Sequence, residues 1–307
     1  MEPFTLKTEV LYQYLRKYTN NHEFECKVWK KTKGPAKKVV IMFNGFLEGI
    51  GNKNSAYLRY KEIGKQLNEK GIVAVLLPLP FHFGRSMASD GQDTVSPLHR
   101  LKEHGTYLYH GGYTQVKTDV KALYQAIKDD PERFGLTEDF NVSILGYSIG
   151  GVSAIAAAKC LKDQLQLNIN SLVIVLSAWK IQDIDAKAVA SFFKEPELEE
   201  AWTTMMNELE TLRENKNTDA VFKELIWGDD LGANPELNFE QIAEKVLFID
   251  GQKDEIFNPA IMRQRRETLL ERNLKNCSFL SLPFDHGLMT SAGLQTPAKY
   301  IATFCVL

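Results

Sequence analysis

Six short stretches along the chain are almost continuously apolar: KVVIMFNG (38–45), GIVAVLLPLP (71–80), NVSILGYS (141–148), SLVIVLSAW (171–179), KVLFIDGQ (245–252) and CSFLSLP (277–283). A strand with one wet face alternates apolar and polar residues, whereas a strand covered on both faces has no reason to. The six runs therefore read as strands of a parallel sheet buried on both sides. Between them the period changes. In 113–129, Val116, Val120, Leu123, Tyr124 and Ile127 recur every three or four residues, and Pro131 closes the element; this is the stripe of an amphipathic helix. Residues 149–161 are small and Ala-rich, which suits a helix lying close against a sheet. Strands alternating with helices predict a doubly wound, mostly parallel α/β architecture with right-handed crossovers.

Two regions depart from this rhythm. The segment EVLYQYLRKYTNNHEFECKVW (9–29) reads either as a helix followed by a strand or as two strands joined at Asn20-Asn21. Turn chemistry at Asn-Asn flanked by β-formers favours the hairpin. Two connections are also long: residues 78–112 and residues 178–244. Connections of such length in a compact domain usually line a binding site or cover it. The first is expected as a loop at the active edge. The second is rich in helix formers and is expected as a helical cap inserted between late strands, leaving 1–177 and 245–307 as the core. Within it Trp202, Met205, Met206, Leu209 and Leu212 form a helical stripe, read as packing of the cap rather than as an acyl pocket. The polar stretches EPELEEAW and TLRENKN beside it argue for soluble rather than interfacial substrates.

Composition narrows the class. The 307 residues are 44% hydrophobic and 25% charged, with a net charge of -2, so no electrostatic pull toward nucleic acid is expected. No apolar run approaches the roughly 20 residues that span a bilayer, and the opening MEPFTLKTEV has no secretory pattern. Cys305 is third from the end, one short of a prenylation box. Cys26, Cys160, Cys277 and Cys305 have no metal or redox spacing; they read as buried free thiols, with the cytoplasm as the default compartment. Four histidines, His82, His99, His104 and His110, crowd one stretch, but separations of 17, 5 and 6 do not suit a metal. Arg100 in that stretch is a candidate for binding an anionic group on a substrate. GFLEGIG (45–51) lacks the Lys-Ser/Thr ending of a phosphate loop.

The candidate chemistry begins at Gly146-Tyr147-Ser148-Ile149-Gly150. The pattern G-x-S-x-G arises by chance in about one chain in ten of this length at ordinary glycine usage, so the context decides. A buried strand runs into it and a small-residue helix leaves it, the setting of a nucleophile on a sharp turn. A serine hydroxyl needs a base to remove its proton, and His286 follows the last strand in LPFDHGLM. The imidazole in turn needs a carboxylate to hold its tautomer. Asp254 leaves the preceding strand in FIDGQKDEIF; Asp183 and Asp185 after an earlier strand are rival acids, and Asp285 is too near His286 in sequence to orient its ring. Ser148, Asp254 and His286 each follow a strand, so their loops open on one edge of the sheet, where ligands bind in open α/β folds.

Strand, elbow, acid and histidine in this order resemble the α/β-hydrolase superfamily, from VVIMFNGF to DHG. In that superfamily the loop after an early strand usually reads His-Gly-x; here it reads Asn44-Gly45-Phe46. The resemblance implies an oxyanion hole made by the backbone N–H groups of Phe46 and Ile149, with Asn44 and Tyr147 near the substrate. His82, in PLPFHFGRS, stands in a family turn as scaffold. The function so implied is a serine hydrolase cleaving a carboxylic ester or thioester of a small acyl substrate through an acyl-enzyme on Ser148, with no cofactor. The same triad acting on an amide, peptide or carbon–carbon bond, and a non-catalytic binding protein retaining the fold, stay open beside it. Oligomeric state is not legible.

Overall fold

A computed structural model of the chain describes residues 1–11, 22–30, 34–45, 53–80, 82–86, 107–177, 184–227, 238–272, 274–286 and 295–307. Each of the six apolar runs forms a strand: β3 (Ala36–Phe43), β4 (Val73–Leu77), β5 (Leu136–Tyr147), β6 (Ile169–Val175), β7 (Lys245–Gly251) and β8 (Cys277–Leu282). Two more precede them, β1 (Glu2–Lys7) and β2 (Glu23–Trp29). Together they make an eight-stranded sheet in the order β1-β2-β4-β3-β5-β6-β7-β8. Strands β3 to β8 pair in parallel, while β1 and β2 run antiparallel at one edge.

The continuous apolar pattern has the predicted cause. Along β3, Val39, Ile41 and Phe43 join one core while Val40 and Met42 join the other. On the first face lie α2 (Val116–Asp129) and α3 (Gly150–Leu165). On the second lie α1 (Lys53–Glu69), through Tyr60, Ile63 and Leu67, and the C-terminal α-helix Gln295–Val306, through Ala298, Ile301 and Ala302. Burying one Val, Leu or Ile side chain stabilises the fold by about 1.5–3 kcal/mol, so two dry faces anchor the strand ends that carry the site.

The N-terminal reading needs correction. The antiparallel partner of β2 is not drawn from residues 9–19 but from the first residues of the chain: Phe4 pairs with Cys26, and Thr8 N donates to His22 O at 2.9 Å. Phe4 and Leu6 are the inward positions of a short alternating strand, too brief a pattern to stand out against the aromatic run after it. The Asn20-Asn21 junction lies outside the described residues. A second correction concerns the helix expected from residue 113. Helical backbone already begins at Tyr107–Tyr109 and passes through a π-helical segment, His110–Gln115, before α2. The widened ladder has a local cause: Thr114 Oγ1 bonds back to Tyr109 O at 2.6 Å, and Gly112 O accepts from Ser153 Oγ of α3 at 2.6 Å. Of the 78–112 connection, residues 78–80, 82–86 and 107–112 are described, including a 3-10 turn over Phe83–Ser86.

Between β6 and β7 the described chain is helical: α4 (Ala186–Phe193), α5 (Glu197–Glu214), α6 (Ala220–Trp227) and α7 (Phe239–Ile242). The α5 stripe packs inward, with Trp202, Met205, Leu209 and Leu212 buried and Met206 half-buried. Asp219, just before α6, accepts from Tyr113 Oη at 3.0 Å and Lys117 Nζ at 3.0 Å. The Tyr109 and Tyr113 rings meet Phe222 at a tilt, with centroids 4.7 and 5.2 Å away, so this helical group is tied to the segment that leads into α2. The remaining helices are α8 (Pro259–Glu271), entered through the Asn258 cap, and α9, the C-terminal helix already placed on the second face. No described helix is long and apolar enough to cross a membrane. The four cysteines are unpaired thiols, Cys26, Cys160 and Cys305 buried and Cys277 half-buried. Burial pushes the Cys277 and Cys305 thiols up to about 12, which leaves them protonated and inert at neutral pH.

Candidate active site

Strand β5 ends at Tyr147, and the chain turns at once into α3. Ser148 at the apex has φ = 53°, a left-handed conformation that costs a non-glycine residue energy and persists only where its surroundings impose it. The surroundings do so here. Ser148 N donates to Val175 O at the end of β6 (2.8 Å), and Ser148 O accepts from Gly151 N (2.8 Å). The flanking glycines are demanded by close approach. A Cβ on Gly146 would strike the carbonyl of Gly150, and one on Gly150 would lie 2.5 Å from Asn44 O and 2.7 Å from Phe43 O. The elbow is thus wedged between the ends of β3 and β6, at the carboxyl edge of the sheet.

Two later strand ends supply its partners. Asp254 lies three residues beyond β7 and His286 four beyond β8. Ser148 Oγ is 3.2 Å from His286 Nε2, and His286 Nδ1 is 3.1 and 3.0 Å from the two Asp254 oxygens. A carboxylate can only accept, so Nδ1 carries the proton and the Nε2 lone pair faces the serine hydroxyl. Asp254 Oδ1 also accepts from Ile256 N at 2.9 Å and Phe257 N at 2.8 Å. These bonds make the acid loop a cap of its own and leave the carboxylate little freedom to turn. All three side chains are buried. The rival acid Asp185 instead caps α4, accepting from Lys187 N at 2.8 Å, and Asp183 lies outside the described residues.

The wider setting is aromatic. Phe257 and Phe192 meet the His286 ring edge-on, with centroids 5.0 and 5.6 Å away, and Tyr147 lies at 6.0 Å. Phe192 belongs to α4, so the helices between β6 and β7 reach the histidine. Asp250, the second-to-last residue of β7, is pushed up to about 6, mainly by burial; Arg266 pulls it down and the Asp254 charge pushes it up.

Of the other expected site residues, Ile149 is the N-cap residue just before α3, and its amide has no hydrogen-bond partner among the described residues, as amides at a helix N-terminus commonly lack one. Phe46 and Arg100 lie outside the described residues, as do His99 and His104. Asn44 is fully buried; its Oδ1 accepts from Leu79 N at 2.8 Å and its Nδ2 donates to Gly45 O at 2.8 Å. That side chain stitches the end of β3 to the chain leaving β4. Gly45 N donates to Tyr60 Oη at 3.2 Å. Tyr147 is also buried, its hydroxyl donating to the backbone carbonyl of His286. His82 and Arg85 are buried scaffold: His82 Nδ1 is 2.8 Å from Pro80 O, and Arg85 pairs with Asp119. Glu255, Phe192 and Phe257 at the histidine were not singled out from the sequence. Glu255 is one more acid in an exposed turn, and the two phenylalanines are indistinguishable there from core residues.

No protein-family model matches the chain, and no curated protein matches it. Solved structures do. The Pyrococcus furiosus esterase Pf2001 superposes with a TM-score of 0.58 at 14% identity, over 99% of this chain and 89% of that one. An α/β serine hydrolase without lid from Xanthomonas campestris gives 0.52 at 13% identity, over 99% and 92%. Carboxyl esterase 2 of the fungus Tuber melanosporum gives 0.55 at 12% identity, over 99% and 87%. With the sheet order and the elbow at the end of β5, these likenesses establish that the chain has the α/β-hydrolase fold.

Proposed function

We propose that the protein is a serine hydrolase that cleaves a carboxylic ester or thioester of a small acyl substrate. The observation that carries this reading is the continuous contact from Ser148 Oγ to His286 Nε2 and from His286 Nδ1 to Asp254. In the reaction so inferred, His286 takes the Ser148 proton as Oγ attacks the acyl carbon, and Asp254 stabilises the imidazolium that forms. The tetrahedral oxyanion is held by the amides of Ile149 and Phe46; losing one such donor costs a factor of about 100–1,000 in kcat. His286 then passes its proton to the leaving alcohol or thiol. A water, deprotonated by His286, attacks the acyl-enzyme and releases the acid. No cofactor enters any step.

The helices between β6 and β7 act in this reading as a cap that selects the substrate, a role supported by the edge-on contact of Phe192 with the His286 ring. The solved structures of similar fold that are described as esterases support an ester as the bond cleaved. A fluorophosphonate probe tests the proposal: the wild type is expected to label at one site per chain and Ser148→Ala at none. Folded wild-type protein that stays unlabelled would overturn it. A p-nitrophenyl ester series of increasing acyl length then measures the pocket under the cap.

A further inference from the structure

His286 sits past the end of β8, where no strand partner serves its backbone, yet it is buried, and buried N–H and C=O groups need partners. Two side chains provide them. The His286 N–H donates to Glu255 Oε2 at 3.1 Å, and its carbonyl accepts from the Tyr147 hydroxyl. Both come from positions adjacent in sequence to a triad partner: Tyr147 precedes Ser148 and Glu255 follows Asp254. The Tyr147 ring is itself covered, since the Arg59 guanidinium of α1 lies over it at 4.0 Å. The loop before the histidine is joined to the acid loop as well, by Gln252 N to Leu282 O at 2.8 Å and Lys253 N to Phe284 O at 2.9 Å.

We propose that Tyr147 and Glu255 are positioning residues: each holds one of the two peptide groups that flank the His286 Cα and thereby sets the imidazole relative to the residue next to it. Any displacement of the histidine backbone is resisted from the serine side by Tyr147 and from the aspartate side by Glu255. The ring is thus referenced to both its partners at once, not to the end of β8 alone. The proposal rests on the serine-hydrolase reading for its consequence, although the clamp itself is a matter of geometry. Misplacing a catalytic group by about 1 Å costs on the order of 100-fold in rate, and loss of one of two tethers is expected to cost part of that.

The test compares Tyr147→Phe, Glu255→Ala and Glu255→Gln with the wild type, using p-nitrophenyl acetate burst kinetics, fluorophosphonate labelling rates and the low-field NMR resonance of the His286 Nδ1 proton. Tyr147→Phe and Glu255→Ala are expected to slow acylation by about tenfold while KM changes by less than about twofold, a ground-state contact being untouched. Glu255→Gln, whose amide oxygen still accepts the His286 N–H, should recover most of the loss at alkaline pH. In Tyr147→Phe, which alters no charge, the acid limb of the rate profile should move to lower pH, because a loosened Nδ1–H bond to Asp254 stabilises the imidazolium less. The Nδ1 resonance should broaden in the same variant. Wild-type labelling with an unchanged rate, limb and resonance in Tyr147→Phe overturns the clamp and leaves the hydrolase reading standing. A broadened resonance in protein that never labels keeps the clamp and overturns the hydrolase reading.

Discussion

Asp119 and Asp254 are both buried acids facing a nitrogen-bearing side chain, and their networks end differently. Asp119 pairs with Arg85 at 2.7 Å, and the two side chains are 1% and 0% exposed. Its other oxygen accepts from Thr8 Oγ1 at 3.0 Å and Gln115 Nε2 at 2.8 Å. Arg85 donates onward to Pro78 O at 2.9 Å and lies over the Phe24 ring at 3.8 Å. These partners all belong to the scaffold, and the knot ties the N-terminal strand pair, the 83–86 turn and the start of α2 together. The Asp254 network runs through His286 and stops at the Ser148 hydroxyl. A closed network gives rigidity; one that stops at a hydroxyl on a strained turn has a proton to move. Burial alone therefore does not mark a functional acid. The end of its hydrogen-bond chain is what sets the candidate catalytic acid apart.

The comparison is broken most severely at the triad. Asp254→Asn is expected to lower kcat by about 10,000-fold, since an amide cannot hold the reactive tautomer, while the thermal midpoint stays close to the wild type; ester turnover and calorimetry check both halves. The reverse pattern is expected at the closed knot. Asp119→Ala leaves a buried guanidinium without its counter-charge and should cost about 3–5 kcal/mol of stability, read by urea unfolding, with specific activity per folded molecule retained. A sharper version replaces both members, Arg85→Met with Asp119→Leu; the double variant should be more stable than Asp119→Ala, because no charge is then left unpaired.

Two smaller effects depend on pH. The Asp250 carboxyl is raised to about 6 by burial, above its unfolded value. Its folded-state advantage is present at low pH and is lost as pH rises through about 6. Asp250→Asn should therefore raise the melting temperature at neutral pH and leave it unchanged near pH 4, where the wild-type group is already protonated. Asp219 is the opposite case. Burial pushes its carboxyl up, but the Lys117 charge and the bonds from Lys117, Tyr113 and the Phe222 backbone outweigh it, and the group lies below its usual value. Its contribution is present above the unfolded value and fades as pH falls. Asp219→Asn should lower the midpoint slightly at neutral pH and not at strongly acid pH. Being partly exposed, the Lys117 pair is the weakest of the five effects.

Legibility in the sequence followed burial. Strands β3, β4, β6 and β7 and the second half of β5 were readable because both their faces are dry, so few polar positions interrupt their runs; β8, at the sheet edge, is only half-buried, against the expectation of two covered faces, and was readable from its phenylalanine and leucines alone. The N-terminal strand escaped because only Phe4 and Leu6 point inward, too few to make a period. Helix α1, with its polar average, and the helices after β7 and β8 left weaker traces than the Ala-rich α3. At the site, Ser148, Asp254 and His286 could be aligned from the order of strand ends, since the topology of a parallel sheet sends all such ends to one edge.

Tyr147 and Asn44 show where that reasoning stops. As residues beside the elbow and at the end of β3 they were expected near substrate, but whether a hydroxyl or an amide meets a ligand or a neighbouring carbonyl depends on ångström distances between segments far apart in the chain. Asn44 reaches Leu79 across 35 positions, and Tyr147 reaches His286 across 139. The chain by itself determined the architecture and the candidate nucleophile, base and acid, because hydrophobic periodicity and motif spacing are local properties that survive in one dimension. Only the tertiary structure decided which buried acid ends on a reactive hydroxyl, which closes into scaffold, and which neighbours hold the histidine, because those distinctions reside in where each hydrogen-bond chain terminates in space.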